Sequence, residues 1–262
     1  MSKNFELMQQ TGRGPAMTPN PSPNPTAQKP LSVSHTNGNG HRNGNGNGAG
    51  LNLDELAQEE TLKLVQRVFL LQAGQAPRTV IFAGIDHGNG CSRVCARAAQ
   101  VLAANIPGKV CIVDANLRSP SLPEYFGMTN HHGLTDSLLQ DGPIMSFAKP
   151  VGAGNLWLLS CGSLAADSAN LLNSDRLKTR LAEMRQEFDY VLIDTPALSQ
   201  YADAVALGRL SDGMVFVLEA NSTRRESAIK VMENLRASQV QILGAVLNKR
   251  DYPIPESVYH RL

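Results

Sequence analysis

The sequence predicts an α/β fold, with a mostly parallel, doubly wound sheet at the centre of three α/β/α layers. Three observations carry this. Short apolar runs rich in β-branched residues recur along the chain, and stretches of helical spacing alternate with them. The runs end at Gly84, Asp114, Asp194 and Asn248. Alternating strands and helices favour a parallel sheet covered on both faces. In such sheets ligands bind beyond the carboxyl ends of the strands, where those four residues fall.

Taken in order, residues 1–50 hold a Pro-rich run (Pro19, Pro21, Pro23, Pro25) and then a Gly/Asn run. Neither can bury enough apolar surface to offset its ordering entropy, so a disordered tail is expected. Residues 51–250 then form the domain, and 251–262 a short second tail. Leu51 to Leu71 reads as an amphipathic helix. Asn52 and Glu55 fit a capping box, and Leu53, Leu56, Leu64, Val68 and Leu71 fall on one face. Residues 73–77 link it to a strand at Thr79–Ala83. Glycines 84, 88 and 90 punctuate a loop, and Val94, Ala98, Val101 and Leu102 mark a helix after it. Further strands are expected at Lys109–Val113, Leu156–Ser160, Tyr190–Ile193, Met214–Leu218 and Ile242–Leu247. Helices are expected at Gly133–Leu139, Ser168–Phe188 (interrupted near Asn173), Ala202–Leu210 and Arg224–Ala237.

Composition narrows the function. A net charge of +1 gives no basis for a nucleic-acid partner or a basic membrane face. No apolar run approaches the ~20 residues needed to span a bilayer, and no signal-peptide core is visible. Cys91, Cys95, Cys111 and Cys161 lie in or beside apolar segments, as buried reduced thiols of a cytoplasmic protein do.

Strand, glycine loop and helix make the setting of a phosphate-binding loop. Glycines let backbone N–H groups close around a phosphate, and the helix N-terminus adds partial positive charge. Such a loop ends Gly-Lys-Ser/Thr, whereas this one ends Gly90-Cys91-Ser92. Asp114 and Asp194, at strand ends, suit a Mg²⁺ site, because that ion takes oxygen ligands and keeps waters. His87, Cys91 and Cys95 recur every four residues, but His87 precedes the helix and no fourth metal ligand is evident. Arg118 faces either a phosphate or solvent, and Trp157 reads as core.

The blocks VCIVDANLRSPSLPEYFG (110–127), GLTDSLL (133–139), FDYVLIDTPALSQYADAVALGRLSDGMVFVLEANSTRRE (188–226) and ILGAVLN (242–248) resemble one family. It is that of the bacterial tyrosine kinases of capsule and exopolysaccharide synthesis. These belong to the deviant P-loop ATPases, with the site-determining and partitioning ATPases. The resemblance implies ATP or ADP at Gly88, Gly90, Cys91, Ser92 and Arg93, with Asn248 against adenine. It implies Mg²⁺ at Ser92, Asp114 and Asp194, the two Asp residues being the catalytic positions. It also implies a membrane chain-length regulator, or co-polymerase, of polysaccharide export as partner, hence a place in the cytoplasm or peripherally at the inner membrane.

Four departures from the family pattern stand out. Cys91 replaces the loop Lys, and Asn116 replaces the second acid of an Asp-x-Asp pair. Glu60, Lys63 and Gln66 occupy the Glu-x-x-Arg-x-x-Arg spacing of a subunit contact, implying a weakened homo-oligomer. Tyr252 and Tyr259, separated by Pro253 and Pro255, replace a terminal tyrosine cluster. A charged hydrogen bond contributes roughly 1.5–3 kcal/mol, or about 10- to 150-fold in affinity. Phosphoryl transfer asks the protein for little besides positioning and charge neutralisation. Cys91 is either neutral or, at the helix N-terminus, partly thiolate; neither supplies positive charge, and a thiolate would repel phosphate. The spacing of Arg93 aims it elsewhere. The expected function is therefore a kinase-like regulator or scaffold with degenerate ATP binding. An active tyrosine kinase using Arg93 is one alternative. A nucleotide-driven localisation switch is another, although Asp86 stands where the partitioning ATPases have a signature Lys.

Overall fold

The sheet is built from strands whose side chains are apolar on both faces. The structure, a computed structural model, describes residues 5–7, 53–71, 76–163, 171–172 and 174–250. Its strands are β1 (Phe5–Leu7), β2 (Thr79–Gly84), β3 (Val110–Asp114), β4 (Lys149–Pro150), β5 (Leu156–Leu159), β6 (Tyr190–Thr195), β7 (Gly213–Glu219) and β8 (Ile242–Asn248). They form one sheet in the order β1-β8-β7-β2-β6-β3-β5-β4, parallel except for the β4–β5 pair. Every residue of β2 and β3 is buried. Alternation then divides the core in two. Ile81, Val113 and Ile193 pack on one face, and Val80, Phe82, Ile112 and Leu192 on the other.

The helices are α1 (Leu53–Val65), α2 (Cys91–Asn105), α3 (Leu122–Tyr125), α4 (Leu134–Leu139), α5 (Asp175–Glu187), α6 (Asp203–Gly208) and α7 (Arg225–Ala237). The long periodic segments thus form where the sequence predicts them. The first helix differs in its last turn. After Val65 the chain makes a π turn over Gln66–Leu70. The extra residue rotates the following side chains, so Phe69 is buried while Leu71, expected on the core face, is 70% exposed. The Asn52 capping box lies outside the described residues, as do residues 168–170 and 173 of the expected helix 168–188; α5 begins only at Asp175. Of the tail expected to be disordered, Phe5–Leu7 pair in parallel with Val246–Asn248. The backbone edge of β8 is a hydrogen-bonding template that three residues suffice to occupy. The rest of that tail, and residues 251–262, lie outside the described residues.

One buried cation fixes the elements beyond β5. Arg180, 4% exposed, donates to the carbonyls of Ser137, Gln140 and Gly142 and pairs with Glu183 at 2.7 Å. It thereby satisfies the C-terminal carbonyls of α4, which have no partner inside the helix. Arg180→Met is expected to cost about 2–4 kcal/mol in urea unfolding, because it strands buried acceptors. Arg176→Met, which breaks an exposed pair with Asp141, is expected to cost at most ~1 kcal/mol.

Candidate functional site

The cleft lies where the sheet predicts it, at the carboxyl ends of β2, β3, β6 and β8. Its volume is about 680 Å³, and its walls include Gly88, Gly90, Cys91, Ser92, Arg93 and Lys249. Gly88 and Gly90 take positive φ of 84° and 81°, a region that glycine enters without penalty. Gly90 is the N-cap of α2, so the first-turn N–H groups of a 15-residue helix border the cleft.

The shape of the loop depends on Asn89, which sequence reasoning missed. Its side chain is buried and donates to the Val217 carbonyl of β7 at 2.8 Å. Its own carbonyl accepts from the Asn248 side chain of β8, also at 2.8 Å. A Cβ at Gly84 would lie 2.4 Å from the Asn89 amide, so Gly84 leaves the space that Asn89 fills. The loop is thus pinned to two strands without help from residue 91. Asn248 is fully buried, and its amide nitrogen is engaged by the loop while its Oδ1 has no hydrogen-bond partner.

Beneath the loop lie two carboxyl groups. Asp114 and Asp194 are neighbours across the β3–β6 pair. Asp114 accepts from the backbone N–H groups of Asn116, Ser121 and Leu122 at 3.1–3.2 Å. Asp194 is fully buried, and neither oxygen has a hydrogen bond of normal geometry. Burial, and then the charge of Asp114, push its carboxyl up to about 8; the nearby Ser92 and Cys91 offset only part of that. Burial also pushes Asp114 up to about 6, against its three backbone donors.

Cys91 faces this pair. Burial, and then the Asp194 charge, hold its thiol well above the usual thiol range, so it is a neutral thiol. Of the neutral thiol and the partial thiolate expected there, burial and the Asp194 carboxyl favour the neutral form over the helix field. Cys95 is buried one turn on, with its thiol raised for the same first reason, while His87 is exposed on the loop. All four cysteines are buried and free. Arg93 is exposed in the first turn of α2 and borders the cleft. Arg118 turns away toward α6. It lies 4.6 Å over the Tyr201 ring and 3.8 Å from Asp203. Trp157 is half-buried and packs against Phe188.

The donor set suits a cation in part. Asp194 has two open oxygens, and Ser92 lies beside them. Asp114 has already spent its oxygens on backbone N–H groups. Asn116 turns part of its capacity to its own loop, its Oδ1 accepting from Ser119 at 3.2 Å. A Mg²⁺ ion would be held by Ser92, which borders the cleft, with Asp194 buried behind it, and would supply positive charge beside a phosphate. The residue that sequence reasoning could have added is Lys249. It directly follows Asn248 at a strand end, the same rule that singled out Asp114 and Asp194.

The chain is 32% identical over 171 residues to the tyrosine-protein kinase YwqD of Bacillus subtilis, a match covering 65% of this chain and 72% of that one. The chain belongs to the bacterial tyrosine kinase family. It is also 29% identical over 183 residues to the succinoglycan biosynthesis transport protein ExoP of Rhizobium meliloti, covering 68% of this chain but only 23% of that longer protein. The kinase domain of the Escherichia coli tyrosine kinase ETK superposes with a TM-score of 0.69 at 23% identity, covering 76% of this chain and 78% of that one. That likeness shows the fold. No protein-family model matches the chain.

The raised Asp194 carboxyl sets a pH dependence. Between the ordinary carboxylate range and about 8, the folded chain binds more protons here than the unfolded chain, so stability falls as pH rises. The slope from this group is at most about 1.4 kcal/mol per pH unit. Thermal melts from pH 5 to 8 should therefore show a falling Tm, and Asp194→Asn should flatten that fall.

Proposed function

We propose that this chain is a catalytically impaired member of its family, acting as a regulator or scaffold in exopolysaccharide or capsule assembly. The observation that carries this reading is the neutral thiol of Cys91, set against Asp194 where the family's loop lysine would place an ammonium. The pinned loop keeps a nucleotide-shaped cleft, and ATP or ADP with Mg²⁺ binds there weakly. Adenine recognition by Asn248 would require its amide to leave Asn89.

The likeness to ExoP, whose name is that of a transport protein of succinoglycan biosynthesis, supports a membrane chain-length regulator as partner. Among the described residues no helix is long and apolar enough to cross a membrane. The proposed location is cytoplasmic, at the inner membrane through that partner. Homo-oligomer contacts through α1 are weakened. Lys63 is engaged within its own helix by Glu59 at 3.0 Å and Glu60 at 2.8 Å, and Gln66 opens the π turn.

The second reading is an active tyrosine kinase, favoured by the 32% identity to YwqD. Labelled ATP with Mg²⁺ separates the two. Incorporation into Tyr252 and Tyr259 is expected to run about 100-fold or more below that of a lysine-bearing relative, as loss of one preorganised charge donor does elsewhere. Robust labelling of either tyrosine would replace the first reading with the second.

A further inference from the structure

We propose that Lys249 is the phosphate-binding cation of this cleft, supplied from the end of β8 in place of the ammonium absent at position 91. The inference rests on the reading that the cleft still takes nucleotide, and it names the side chain responsible. Lys249 borders the same cleft as Gly88, Gly90, Cys91 and Ser92. It directly follows Asn248, whose side chain holds the Asn89 carbonyl at 2.8 Å. The backbone that carries the lysine is therefore fixed to the phosphate loop, and the Asn248 carbonyl is itself fixed by the Ala220 N–H at 2.8 Å.

The backbone conformation gives a second, independent sign. Three non-glycine residues among those described have positive φ: Asn221, Gln239 and Lys249. Asn tolerates this region, because its short polar side chain bonds locally. Gln239 stands just past the end of α7, where helices commonly close through a left-handed residue. Lys249, at φ 55°, has neither excuse and alone of the three borders the cleft. Conformations disfavoured for a residue with a Cβ persist mainly where surrounding structure and function demand them.

The ammonium of Lys249 rests on the Glu219 carboxylate at 3.2 Å, with side chains 36% and 27% exposed. The pair is part-buried, and a phosphate in the same cleft offers the ammonium a second anionic acceptor. Lysine is also a compact charge on a flexible stem, able to swing between the two acceptors. The ligand class is the phosphate chain of a nucleotide, seated over the α2 N-terminus with Lys249 on its charge.

Calorimetric titration of the full chain with ADP tests this, with inorganic phosphate as a probe lacking the nucleoside. Lys249→Met is expected to weaken ADP binding about 10- to 100-fold. Arg93→Gln removes the other cation bordering the cleft and is read as the competing assignment. Glu219→Gln should tighten it severalfold, because it frees the ammonium, and it leaves Lys249 in place if the methionine variant fails to fold. Unchanged affinity in Lys249→Met or in Glu219→Gln, loss confined to Arg93→Gln, or no ADP binding by the unmodified chain would each overturn the inference. ATP turnover is read separately. Turnover with Lys249-dependent binding would overturn only the impaired-kinase reading, whereas unchanged binding in Lys249→Met without turnover would overturn only this inference.

Discussion

A buried carboxyl group without a compensating charge governs the chemistry of this fold. Asp194 ends β6 in the middle of the sheet, fully buried, with both oxygens lacking a normal hydrogen bond. An isolated buried carboxylate is costly, and a protein without a compensating cation keeps it protonated. The side chains that reach it from the start of α2, Ser92 and Cys91, are both neutral. Two groups that would bear opposite charges in a working phosphate site instead meet as an acid and a thiol. From that follow the raised carboxyls and the neutral cysteine.

The geometry of the loop has a separate origin. Asn89 ties it to β7 and, through Asn248, to β8, and Gly84 makes room for the tie. None of these contacts involves residue 91. A chain can therefore lose the loop lysine and retain the cleft, because shape comes from backbone and amide contacts while affinity comes from charge. Separation of the two is what would let a kinase-like fold serve as the binding or docking module proposed above. Strand β8 gains weight in this picture, since it anchors the loop through Asn248 and carries Lys249 beside it.

Much of this was legible in the sequence, for definite reasons. Buried parallel strands announce themselves as short apolar runs, so β2, β3, β5, β6, β7 and β8 were placed to within a residue or two. The strand-end rule brought Asp114, Asp194 and the glycine loop together at one edge. What stayed hidden depends on tertiary detail. The π turn that exposes Leu71 leaves no mark in a periodicity of apolar residues. The two-residue β4 and the four-residue α3 are too short to carry a pattern. Arg118 could not be aimed without knowing that Tyr201 and Asp203 lie beside it. Asn89 carries no signal in the sequence, because its partners, Val217 and Asn248, are far away in it. The protonation of Cys91 stays open there, since a helix N-terminus is visible in a sequence while burial against Asp194 is not.

The central claim is that the missing ammonium at residue 91 sets the affinity of an otherwise intact cleft. Calorimetric titration with ADP–Mg²⁺, run on the chain and on Cys91→Lys, tests it most directly. The account predicts binding about 10- to 150-fold tighter for the lysine variant, which places a cation against Asp194 and the phosphates. Sub-micromolar binding by the unmodified chain, with no gain from the added lysine, would contradict it.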